Sequence, residues 1–301
     1  MRKLSRRAAS IALAAAMLFT TVGVSQKKVE AASTGKLSVT GYQDYSDAQK
    51  ILKEVNKYRK KNGRKALKMD RGLTNSAIMR GFETTIYIPE TSPHRRPNGK
   101  LSKSINKKII YENCAQSAGT TPKQIVKGWI NSSTHRKGLL LSNAKSVGVA
   151  AVTVVSRDGY EANTWVLDFS SSKAKKVEKS KARKQFTKNI VTKNSYLKKS
   201  YLKLDSRYGT IWETEKMQMK PTYQGKMMKE YGVYPTVINA SSFTSWKSSN
   251  PSVASVDSNG RITGNKAGTA TISVKLKTGT KITISKKIKV VPTNQQIDPW
   301  E

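Results

Sequence analysis

In the first half of the chain, apolar side chains recur at helical spacing. In SDAQKILKEVNKYRKKNG, residues 46–63, Ile51, Leu52, Val55 and Tyr58 form a helical stripe. Ser46 and Gln49 have capping-box spacing, and Gly63 is a natural stop. LTNSAIMRGFETTIY, residues 73–87, predicts a second helix with Leu73, Ala77, Ile78 and Gly81 on one side. A third opens at Thr121 as cap, with Pro122 at the first helical position and Ile125, Val126, Trp129 and Ile130 as its apolar stripe. SVGVAAVTVVSRDGYEANTWVLDFS, residues 146–170, then reads as two strands around an Asp158-Gly159 turn. Helices with a terminal hairpin predict an α+β layered domain over residues 46–170.

Beyond residue 206 the period changes to two. Ala270, Ile272, Val274 and Leu276 alternate with Thr271, Ser273, Lys275 and Lys277, and TKITISKKIKVV repeats the alternation after a Thr278-Gly279 turn. Short strands between SNG, NKAG and KTG turns predict a small all-β sandwich over 206–293. Between the halves, residues 171–200 hold eleven Lys or Arg and one acid, Glu178. So little apolar material cannot fill a core, and 171–205 reads as a solvated basic linker.

Charge and cysteine count set the compartment. MRKLSRR, an apolar run and VEAAS have the layout of a secretory signal peptide, residues 1–31. Those residues hold six basic side chains and one acid, so a total of +37 falls to +32 after cleavage. With Cys114 alone there is no intramolecular disulfide, and the exported chain must rest on core burial. This points to a Gram-positive bacterium. Neither a lipoprotein cysteine nor a wall-sorting tail is evident, so the expectation is a secreted, extracellular or non-covalently wall-associated protein without a transmembrane anchor. Its charge would draw it to anionic wall polymers such as teichoic acids. Nucleic acid would bind for the same reason, but secretion makes it an unphysiological partner.

The chain has two histidines, in SPHRRPNGK and SSTHRKGLL. HRRPNG (94–99), YENCA (111–115), TPKQIVKGWINSSTHRKGLL (121–140), SVGVAA (146–151) and NTWVLDF (163–169) resemble, in order and spacing, the CAP superfamily of cysteine-rich secretory, antigen 5 and pathogenesis-related proteins, in its cysteine-poor bacterial, SCP-like form. The resemblance implies an α-β-α sandwich with a cleft holding two histidines and two acids, which in some members takes a divalent metal such as zinc. By motif, His94, Glu112 and His135 are cleft residues and the metal-ligand candidates, and Gln124 stands where relatives carry the second acid. Tyr111 replaces a usual glycine and Cys114 an aliphatic residue. WKSSNPSVASVDSNGRITGNKAGTATISV, residues 246–274, resembles the group 2 bacterial Ig-like domains, which act as spacers or contact modules.

Set against this, His94 and His135 could simply bond Glu112 and pin loops together, and Gln124 suits a capping box. Ser132 and Ser133 before His135 invite a Ser-His-Glu hydrolase reading, yet serines at helix ends are ordinary caps. Replacement of an aliphatic residue argues for a buried, inert Cys114. Two readings follow: a non-catalytic envelope binding factor retained by charge and an Ig-like module, or a metal-assisted hydrolase or small-ligand binder using the cleft. The sequence names no catalytic residue and no cleft ligand.

Overall fold

A computed structural model describes residues 34–86, 94–117, 119–156, 159–206, 208–230, 232–278 and 281–294. The expected signal peptide and Asp158 of the hairpin turn lie outside the described residues. No helix among the described residues is long and apolar enough to cross a membrane.

The first half contains β1 (Thr34–Asp44), α1 (Tyr45–Lys61), β2 (Lys68–Met69), α2 (Arg71–Ile86), β3 (Tyr111–Ser117), α3 (Pro122–Asn131), α4 (Ser133–Leu139), β4 (Ser146–Val155), β5 (Glu161–Ser170) and β6 (Arg183–Lys193). The strands form one sheet in the order β3-β5-β4-β1-β6, with β2 parallel beside β4. Strand β4 is buried on both faces, which is why its sequence runs apolar without alternation. Val147, Val149 and Ala151 pack with Trp165, Leu167 and Phe169 under α1, α3 and α4. Ala150, Val152 and Val154 pack with Val166 under α2. Helices on both faces make the α-β-α sandwich. At Gly148 a Cβ would stand 2.3 Å from the Leu73 carbonyl, so the glycine lets the start of α2 press against the sheet.

Helix α3 starts as its sequence predicts. Thr121 caps it, Gln124 closes the capping box, and Pro122 is in the first turn. Trp129 is 2 % exposed in the core under that helix. Trp129→Ala should therefore cost about 3–5 kcal/mol in urea unfolding. The buried indole N–H has no hydrogen-bond partner among the described residues, so Trp129→Phe should lose much less. An Ala variant that unfolds with the parent would refute this core.

Two expectations need correction. The first helix is capped not by Ser46 but by Asp44, whose Oδ1 accepts from the Asp47 amide at 2.9 Å. Strand β1 delivers the chain in an extended conformation that makes Asp44 the cap. Gln49 instead donates to the carbonyls of Glu178 and Ser180, at 3.0 and 3.3 Å. The larger correction concerns residues 171–205, which are not a solvated linker. Glu178 is buried and ion-paired to Arg71 at 2.9 Å, and β6 pairs antiparallel with β1 from Thr34↔Lys193 to Asp44↔Arg183. The sheet therefore extends outside 46–170 at both ends.

The second half holds β7 (Leu202–Asp205), β8 (Thr210–Trp212), β9 (Lys216–Gln218), β10 (Lys220–Tyr223), α5 (Lys226–Glu230), β11 (Thr236–Val237), β12 (Phe243–Ser248), β13 (Ala254–Val256), β14 (Arg261–Gly264), β15 (Gly268–Leu276) and β16 (Thr283–Val291). They form small sheets β11-β10-β7, β12-β15-β16-β8 and β13-β14-β9. The alternating residues Ala270, Ile272, Val274 and Leu276 face the core. Strand β7 lies before Ser206 yet pairs with β10, so this half begins earlier than its composition suggests.

The halves meet directly. Asn239 donates to the Ser38 and Thr40 hydroxyls at 3.1 and 2.9 Å, and the Ser38 amide donates to Ser242 Oγ at 2.7 Å. Tyr160 and Tyr234 stack at 4.1 Å.

Candidate functional site

Strand β3 carries the site, because successive side chains point to opposite faces. Tyr111 and Asn113 face α4: the Tyr111 hydroxyl donates to the Thr134 carbonyl and the Asn113 amide to the His135 carbonyl, both at 2.9 Å. Gly138 allows that approach, since a Cβ there would meet the Tyr111 ring at 2.7 Å. Glu112 faces the other way, towards α2.

There it enters a chain of buried charges. Arg80, fully buried, donates through Nε and Nη2 to the two oxygens of Glu112 at 2.8 and 3.2 Å, and through Nη1 to Glu83 at 2.9 Å. Arg96 grips Glu83 from the loop, at 2.8 Å. On the other side His94 Nδ1 sits 3.0 Å from Glu112 Oε1, with its side chain 40 % exposed. Burial pushes the Glu112 carboxyl up, but hydrogen bonds from His94 and Arg80 and the guanidinium charge together hold it below the usual carboxylate range. It is a fixed anion.

Its other titratable neighbours are shifted towards their neutral forms. Asp168 pairs with Glu112 across β3 and β5 and is fully buried, with no hydrogen-bond partner for its carboxyl among the described residues. Burial first, and the negative charge of Glu112 second, push its carboxyl well above its ordinary value. Cys114, two residues along β3, is pushed up to about 12 by burial and by Glu112, so it stays a thiol. His135 is lowered by burial and by the nearby charge of His94, and its Nδ1 lies 2.9 Å from Ser132 Oγ. That serine is the cap of α4. Glu112 contacts His94 rather than His135, so Ser132, His135 and Glu112 are not arranged as a triad. Gln124 Oε1 accepts from the Thr121 amide and hydroxyl at 2.9 and 2.7 Å, which commits it to the cap.

Of the expected ligands, His94 and Glu112 come together, joined by Cys114 rather than His135: their donor atoms lie within 4.8 Å of one another. The set fits a divalent cation poorly. Both Glu112 oxygens already accept from Arg80, whose charge opposes a cation at hydrogen-bond distance, and the thiol is protonated. Sequence reasoning missed Arg80, Glu83, Arg96 and Asp168. The available signal was a lone Arg–Glu pair, three residues apart, inside an otherwise uncharged run, TNSAIMRGFETTIY.

A helix-flanked sheet with a His–Glu contact, followed by a mainly antiparallel β region, defines a protein of two domains. Residues 52–169 match the model of the cysteine-rich secretory protein family, CAP, and residues 218–288 that of the bacterial Ig-like domain, group 2. The chain thus carries a CAP domain followed by a group 2 bacterial Ig-like domain. It is 31% identical over 130 residues to the uncharacterized protein YkwD of Bacillus subtilis (strain 168), covering 42% of this chain and 48% of that one. An extracellular protein containing a SCP domain from Bacillus anthracis str. Ames is 19% identical with a TM-score of 0.32, over 42% of this chain and 41% of that one. An outer surface protein from Borrelia burgdorferi is 18% identical with a TM-score of 0.33, over 43% of this chain and 98% of that one. The chain spans about half the length of the curated relative it matches.

Proposed function

We propose that this is a secreted, non-catalytic binding factor of a Gram-positive cell envelope, retained on anionic wall polymers by its charge. The observation that carries the reading is the state of Glu112. An acid or base must exchange a proton during the reaction, and this carboxylate is held ionised and immobile by a buried guanidinium. Glu112 here is a brace that fixes the His94 loop to α2. A net charge of +37, or +32 without residues 1–31, supplies a salt-sensitive attraction to polyanions.

Purified walls should hold the protein at low salt and release it in ~1 M salt without detergent or protease, as the Debye length shrinks to about 3 Å. Zinc titrated into the chain should give no saturable heat. Zinc binding that His94→Ala abolishes would favour a metal-assisted hydrolase or small-ligand binder, and retention unchanged in ~1 M salt would remove the electrostatic reading.

A further inference from the structure

Resting on that reading, the geometry points to one surface as the grip: the outer rim of the CAP sheet, strand β6 with the turns that follow it. We infer that an extended, phosphate-bearing polymer without stacked bases lies along this rim. Residues 179–204 contain nine cations and no acid. β6 ends the strand order, so among the described residues no strand pairs with its second edge. Eleven residues of strand give a track of roughly 33 Å at about 3.3 Å per residue.

The side chains are also held in place. Among the described residues Arg183 lies over Tyr42 at 4.6 Å, Lys184 over Tyr45 at 5.7 Å, Lys188 over Phe186 at 5.0 Å, Lys193 over Tyr196 at 5.9 Å and Lys198 over Tyr201 at 5.5 Å. A ring beneath each cationic head restrains an otherwise floppy side chain, which lowers the ordering cost of binding. Arg183 is also paired with Glu161 at 2.9 Å, so the rest of the rim is lysine. Ammonium groups act as point charges suited to phosphodiesters. Because the rings are already covered by cations, they offer no platform for bases, which disfavours single-stranded nucleic acid. At its far end the rim joins the basic His94 loop, where the Lys193 amide donates to the Pro97 carbonyl at 3.0 Å.

The rival explanation is that lysines merely protect an edge strand from pairing. Two variants of the full chain with equal charge loss separate these. Lys184→Gln, Lys188→Gln, Lys193→Gln and Lys198→Gln alter the rim; Lys275→Gln, Lys277→Gln, Lys287→Gln and Lys289→Gln alter exposed positions on the Ig-like strands. Binding to immobilised poly(glycerol phosphate) should fall about tenfold or more in the rim variant and less than about threefold in the other, with melting unchanged in both. Equal losses would overturn the rim as the grip and leave charge retention standing. A parent that ignores poly(glycerol phosphate) would overturn both readings. Preferential displacement by oligo(dT) would overturn the assigned partner in favour of nucleic acid.

Discussion

Deleting residues 173–199 is expected to abolish cooperative folding of the CAP domain instead of releasing two intact halves. Strand β1 pairs along its whole length with β6 and shares only Tyr42↔Thr153 and Gln43↔Val152 with β4. Without β6, the ladder of β1 is left open to water together with the buried faces of Leu37 and Val39. The deletion also removes Ile190 and Thr192 from the core, the Glu178–Arg71 ion pair, and the Glu178 amide that caps the Met69 carbonyl at 2.9 Å. Such losses exceed about 5 kcal/mol, comparable with the whole stability of a domain. Circular dichroism in rising urea should show no cooperative CAP transition. A deletion variant unfolding like the parent would mean that β6 is dispensable to the sheet.

Arg80→Met should be the most damaging single substitution in the site, at about 3–5 kcal/mol, because it leaves Glu112 and Glu83 buried without their guanidinium. The effect has a defined pH dependence. Glu112 has a folded pKa below its unfolded value, so its contribution is present above the unfolded carboxylate pKa of about 4.3 and is lost as pH falls through the folded value. The variant lacks that contribution, so its deficit should be largest near neutral pH and should narrow in acid. Adding Glu112→Gln should recover part of the loss, since a neutral amide no longer needs the buried cation. If Arg80→Met lies within about 1 kcal/mol of the parent at neutral pH, Arg80 is not the brace argued here.

What the sequence determined by itself was whatever depends on near neighbours. Thr121, Pro122 and Gln124 meet within one turn of backbone, so the start of α3 was readable. The alternation in β15 and the unbroken apolar run of β4 report directly how many faces of each strand are buried. His94 and Glu112 were found by motif and stand in contact, whereas His135, expected to bond Glu112 as well, is bonded to Ser132.

Tertiary structure alone decided the rest. β6 looked like a linker because an edge strand buries only part of one face: Ile190 and Thr192 are its buried residues, and Lys184 and Lys188 lie further along that same face. Its partner β1 lies far away in the chain, with Val39 opposite Lys188, and no local period can announce a pairing across that separation. For the same reason the sequence could propose Glu112 as an acid but could not say that Arg80, from the preceding helix, had already neutralised it. Nor could it say that Asp168 would be buried opposite Glu112, with its carboxyl pushed well above its ordinary value. Charge on a side chain is written in the sequence. Whether that charge is solvated, paired or suppressed is set by what the fold packs around it, through the cost of removing an ion from water.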